Sequence, residues 1–92
     1  MPTRLTKIIA TLGPATASKK TIKELVDAGV NVFRLNLSHG DHNALRRRIR
    51  WIRMAEKESK TFLAILLDLQ GPKIRVGKFE KGAITLQRGK CI

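Results

Sequence analysis

Arg34, Asn36, Ser38 and Asp68 carry the strongest chemical signal in this sequence. Arg34, Asn36 and Ser38 fall two residues apart within the stretch 31–40, Asn-Val-Phe-Arg-Leu-Asn-Leu-Ser-His-Gly. Residues at that spacing share a face of an extended backbone. A cation, an amide and a hydroxyl would then project together from a strand whose apolar residues are Val32, Phe33, Leu35 and Leu37. Such a row is costly to bury without partners. A bound anion beside an oxygen-ligated metal ion would satisfy it. Asp68 follows a second apolar run, Phe62 to Leu67, and adds a carboxylate. Oxygens from Asn36, Ser38 and Asp68 suit a hard cation, and the spacing alone does not separate sodium, potassium and magnesium. The Arg34 guanidinium offers a charged fork to phosphate or carboxylate. Two plainer readings stand beside this one: a self-satisfied polar ladder at a strand end, and an Arg34–Asp68 ion pair with a purely structural role.

The elements that must hold these side chains can be read from the apolar pattern. Lys7 to Leu12 is predicted as a strand covered on both faces, ended by the turn Gly13-Pro14. Ser18 is a candidate N-cap for a helix carrying Ile22, Leu25 and Val26, with Gly29 as its left-handed stop. Lys19 and Lys20 oppose the dipole of that helix, so packing must hold it. After the strand around Phe33, Asp41 or Asn43 starts a second helix, from Ala44 to Glu58, with Leu45, Ile49 and Ile52 on one face. Trp51 lies off that stripe, which points to a second, missing packing neighbour. Phe62 to Leu67 is the third strand. The order β-α-β-α-β implies parallel strands joined by right-handed crossovers. Beyond Gly71-Pro72 the texture changes: Ile74, Val76, Ile84 and Leu86 alternate with polar residues around Glu80-Lys81-Gly82, which reads as a hairpin.

The decapeptide 31–40 resembles the signature of the pyruvate kinases. Three further segments match that family in the same order: 6–16 (Thr-Lys-Ile-Ile-Ala-Thr-Leu-Gly-Pro-Ala-Thr), the helix ending in Asp27-Ala28-Gly29, and 65–75 (Ile-Leu-Leu-Asp-Leu-Gln-Gly-Pro-Lys-Ile-Arg). Collinear motifs over nearly the whole chain are far more specific than a single glycine pattern. The resemblance implies an α/β fold: the first part of a (β/α)8 TIM barrel over residues 1–72, then, over 73–92, the first strands of an inserted β domain. Three strands and two helices cannot close such a barrel, which takes about 250 residues.

By the same resemblance, Arg34 would bind phosphoenolpyruvate. Asn36, Leu37, Ser38, His39 and Arg75 would contact ADP or ATP. Asn36, Ser38, Asp68 and the backbone carbonyl of Leu69 would hold potassium. Many family members have threonine and lysine where this chain has Leu69 and Gln70. A backbone ligand tolerates the first change, and the second touches local contacts only. The catalytic lysine and the magnesium-binding carboxylates of the family lie on later strands, so these 92 residues alone are expected to be inactive. His39 has a pKa suited to proton transfer, but beside a glycine and a helix start it reads first as a local hydrogen-bonding residue. His42 is expected at the surface, and Cys91 has no base beside it to make it a nucleophile.

Charge supplies the rival readings. Nineteen basic residues against seven acidic ones give a net charge of +12, which favours phosphate-bearing partners. Arg46, Arg47, Arg48, Arg50 and Arg53 crowd one helix, as in a nucleic-acid-binding module. Scattered aromatic residues offer no stacking platform, so a solvated helix face is the simpler account and nucleic acid the weaker partner. Open sheet edges also invite a homo-oligomer, including one that exchanges strands between copies. A single cysteine and no apolar leader or membrane-length run lead to the expectation of a cytosolic, membrane-free chain.

Overall fold

A computed structural model of the chain describes residues 4–38, 41–72 and 74–92. Its elements run β1 (Ile9–Leu12), α1 (Lys19–Asp27), β2 (Val32–Asn36), α2 (His42–Ser59) and β3 (Ala64–Asp68), with a 3₁₀ turn at Pro14–Thr16. The strands form one parallel sheet in the order β1-β2-β3. Ile9 aligns with Val32 and Ala64, Thr11 with Arg34 and Leu66, and Asn36 with Asp68.

Local chemistry sets the helix ends. The Ser18 hydroxyl accepts the Thr21 N–H at 3.1 Å and starts α1. Past its last residues, Gly29 at φ 110° allows the Gly29 N–H to reach the Val26 carbonyl and the Val30 N–H to reach the Leu25 carbonyl. This pair of bonds is the Schellman closure. The Arg4 guanidinium donates to the Gly29 carbonyl and fills the space a Cβ would need, 2.9 Å from its position. The Asp41 carboxylate caps α2 by accepting the Ala44 N–H at 2.6 Å, and Lys60 ends the helix at φ 53°.

The two helices pack on each other and cover one face of the sheet. Leu12, Phe33 and Leu35 from the strands meet Ile22 and Val26 of α1 and Ile52 and Ala55 of α2, with Val30 and Leu63 at the strand entrances. Trp51 is half-buried against this cluster. A clamp ties the end of α2 to the entry of β3. Leu63 donates its N–H to Glu56 at 2.7 Å, while Arg53 donates to the Leu63 carbonyl at 3.0 Å and to Glu56 at 3.2 Å.

Three expectations are corrected. β1 is covered on one face only, Ile9 being exposed on the other because no further strands curl over it, and β3 leaves Leu66 and Leu67 exposed, one on each face. The strands are also displaced, β1 starting at Ile9 and β3 at Ala64, since their lengths follow the pairing with β2 and not the extent of the apolar runs. The hairpin after Pro72 does not form. Among the described residues 74–92 there are only two turns, closed by Gly82 N–H to the Phe79 carbonyl and Lys90 N–H to the Gln87 carbonyl. A lone two-stranded hairpin is marginal without a third strand or a helix to pack on. Its apolar residues, Ile74, Val76 and Leu86, stay exposed. The radius of gyration, 18.1 Å, exceeds the roughly 12 Å of a closed domain of this length. No helix among the described residues is long and apolar enough to cross a membrane.

Candidate active site

On the face of the sheet opposite the helices, β2 presents Val32, Arg34 and Asn36, while β3 presents Ala64, Leu66 and Asp68. Asn36 and Asp68 are register partners at the C-terminal ends of adjacent strands, so their side chains leave the sheet on the same side. The ladder continues one residue further, the Leu37 N–H donating to the Asp68 carbonyl at 3.0 Å. Arg34 sits one row below and its guanidinium reaches diagonally, donating through Nη2 to Asp68 Oδ2. Through Nη1 it donates to Thr11 Oγ1 on β1 at 3.3 Å. Three neighbouring strands thus converge on one cation at their C-terminal ends.

The Arg34–Asp68 pair, one of the plainer readings of the sequence, is therefore made. It is not sealed: the two side chains keep 32% and 44% of their surface accessible, so an anion in solution can reach the guanidinium. Thr11 was missed in the sequence because its strand showed no polar pattern of its own. Its only available signal is its position, one residue before the strand end and in register with Arg34.

Ser38 departs from the expected row. β2 ends at Asn36, and the Asn36 Oδ1 accepts the Ser38 N–H at 2.9 Å, folding 37–38 into a turn. This local Asx bond competes with strand extension, so Ser38 stands beside the strand end instead of along its face. Leu37 is half-buried there. His39 lies outside the described residues. Leu69 is exposed just beyond Asp68, with its carbonyl at the same end of the sheet. Arg75 is exposed in the segment without strands, and no hydrogen bond or ion pair among the described residues joins it to the site. His42 is exposed, as is the free Cys91.

The donor set narrows which ion could bind. Among the described residues no group of three or more histidine, cysteine, aspartate or glutamate side chains could hold a metal. Of the four expected ligands, Asn36 and Asp68 stand side by side as register partners, and an amide and a carboxylate oxygen are of the kind a hard cation accepts. A cavity of 360 Å³ opens at the opposite end of the strands, lined by Lys7, Asn31, Val32, Phe62, Leu63 and Ala64. It is mostly apolar and lies at the strand N-termini, where β/α barrels keep stability rather than chemistry. We assign it to packing.

The sequence model described as "Pyruvate kinase, barrel domain" matches residues 3–92. The chain belongs to the pyruvate kinase family. It is 52% identical over 88 residues to pyruvate kinase 2 of Synechocystis sp., covering 94% of this chain and 15% of that protein. It is 51% identical over 86 residues to the pyruvate kinase of Geobacillus stearothermophilus, again 94% of this chain and 15% of the relative. The crystal structure of Cryptosporidium parvum pyruvate kinase superposes with a TM-score of 0.78 at 40% identity, over 85% of this chain and 16% of that one. The fold matches the N-terminal part of the pyruvate kinase barrel. The chain spans 15–19% of the length of the curated relatives it matches.

Proposed function

We propose that this chain contributes the first wall of a pyruvate kinase active site, where phosphate passes from phosphoenolpyruvate to ADP. The convergence of Thr11, Arg34 and Asp68 at the C-terminal ends of three parallel strands carries the reading, because that end of a β/α barrel holds the chemistry. Arg34 is the substrate group. Its charge and forked donors suit the phosphate or the carboxylate of phosphoenolpyruvate. Asn36, Ser38, Asp68 and the Leu69 carbonyl would hold potassium, which would add positive charge next to the substrate anion. Asn36 to His39 and Arg75 would face the nucleotide phosphates. Magnesium, together with the catalytic lysine, would come from residues outside these 92. Residues 1–72 act as the opening barrel units and 73–92 as the start of an inserted β domain, which the loss of regular structure after Pro72 supports. The unpaired edges of β1 and β3 support association, with further barrel strands or with a second copy.

Phosphoryl transfer depends on positioning and charge neutralisation by groups from several strands. The 92 residues alone are therefore expected to form no pyruvate. A chimera tests the reading directly: residues 3–92 replace the matching segment of the Geobacillus stearothermophilus enzyme. Pyruvate formation is expected, and Arg34→Ala should lower kcat/KM for phosphoenolpyruvate at least about 100-fold, the loss seen when a preorganised donor is removed. A folded chimera indifferent to Arg34 would overturn the assignment.

A further inference from the structure

We infer that the outward face of α2 is a docking strip for the phosphate backbone of a double-stranded nucleic acid, bound without regard to base sequence. Arg46, Arg50, Arg53 and Lys57 recur at i, i+4, i+7 and i+11 and are all exposed. The stripe Leu45, Ile49, Ile52 and Ala55 packs on the core, and the cations lie to one side of it, so the direction in which they face is fixed. Arg47 extends the strip on its other flank. Arg53 is already engaged by Glu56 and the Leu63 carbonyl. None of the ion pairs among the described residues includes Arg46, Arg47, Arg50 or Lys57. The acids of α2 sit only at its C-terminal end, where Glu56 serves Leu63 and Glu58 serves Lys19 and Lys23.

This arrangement works against the helix in isolation. Arg46 and Arg50 repel each other at i, i+4, and they lie in the half nearer the positive pole of the helix. A bound polyanion relieves both effects. The strip runs about 16 Å along the axis, enough to follow a few successive phosphates.

The chemistry around the strip selects among polyanions. An anionic membrane would be held more firmly by several apolar side chains flanking the cations, but of the large apolar residues of α2 Met54 alone is exposed and the others pack on the core. An acidic protein segment would need an aromatic or aliphatic anchor pocket along the cations; the cavity that touches the strip, lined by Glu56, Lys57, Lys60, Thr61 and Phe62, lies at its Lys57 end, away from Arg46 and Arg50, and carries a carboxylate. Single strands bind through stacked aromatics, whereas Phe33 is buried, Trp51 half-buried, and the exposed Phe62 and Phe79 both lie outside α2. A duplex backbone needs none of these, since release of its counterions supplies the affinity. The strip adds a surface to the family fold and leaves the proposed active site on the opposite side of the sheet untouched.

Anisotropy titrations of the 92-residue chain against a fluorescein-labelled mixed-sequence DNA duplex of about 20 base pairs, between roughly 50 and 200 mM KCl, test this. Saturable binding is expected, with a log–log salt slope of about −3 to −4 for four contacted phosphates. Arg46→Gln with Arg50→Gln keeps helix propensity. It should weaken binding about tenfold or more at the lowest salt and reduce the slope by about two. Lys78→Gln with Lys81→Gln removes the same charge from the exposed 74–92 segment and should change affinity by less than about twofold. Equal weakening by both pairs would reduce the effect to net charge and overturn the proposal. Tighter binding to phosphatidylglycerol vesicles or to polyglutamate than to the duplex would overturn it too, as would absence of saturable binding at the lowest salt.

Discussion

Phe33 and Arg34 are adjacent in sequence and leave β2 on opposite sides. Phe33 is fully buried under α1 and α2. Arg34 stands on the uncovered side, held by Thr11 and Asp68 and still within reach of solvent. One side of the sheet is closed by apolar packing inside this chain, whereas the other ends in polar groups that have satisfied one another only in part. Stability and chemistry are therefore assigned to alternate residues of the same strand, and substitutions should separate them.

The largest effect should come from the covered side. Phe33→Ala removes a fully buried ring and is expected to cost about 3–5 kcal/mol, enough to unfold a small domain. Loss of the cooperative melt by circular dichroism is the readout, and Ile52→Ala should behave similarly at about 2–5 kcal/mol. Next comes the α2 cap: Asp41→Ala should cost about 1 kcal/mol by leaving helix N–H groups unpaired, a change read as a lower melting temperature. On the uncovered side, Arg34→Ala should alter stability by no more than about 1 kcal/mol, since a partly exposed ion pair contributes little. The same substitution should lower kcat/KM for phosphoenolpyruvate in the chimera at least about 100-fold. A large loss of stability from Arg34→Ala would erase the contrast between the two sides.

The smallest effect concerns acid. The Leu63 N–H donated to Glu56 holds its carboxyl below the usual carboxylate range; burial opposes this, and nearby Arg53 adds to the lowering. A carboxylate with a lowered folded-state pKa stabilises the fold above its ordinary value near 4.5. That contribution disappears as pH falls through the folded-state value. Glu56→Gln should therefore lower the melting temperature slightly near neutrality, where the ionised carboxylate contributes, and make it less sensitive to pH on the acid side, variant and parent converging at low pH. An unchanged acid slope in the variant would show that the clamp at Leu63 is not linked to protons.

Sequence reasoning was most successful where the physics is local. Ser18 and Asp41 cap the two helices because a short oxygen-bearing side chain meets a free N–H within three residues. Gly29 ends α1 because a left-handed residue is needed there. The placement of Asp68 beside Asn36 was legible too, since parallel βαβ units put neighbouring strand ends together. Strand extents were not, because pairing partners decide them: β1 starts two residues later than its apolar run. The hairpin after Pro72 failed for the same reason, its alternation being real and its packing surface absent. Ser38 was displaced by a bond between near neighbours that the two-residue spacing concealed. The clamp of Arg53, Glu56 and Leu63 joins residues up to ten positions apart across a helix end, and only the i, i+3 charge pair hinted at it.

The order β1-β2-β3 carries a consequence for synthesis. Each strand is added alongside its predecessor, never between strands already paired, so the sheet grows from one margin as the chain emerges. Pairs already formed need not reopen to admit a later strand. Folding of these three strands can therefore keep pace with translation, one βα unit at a time.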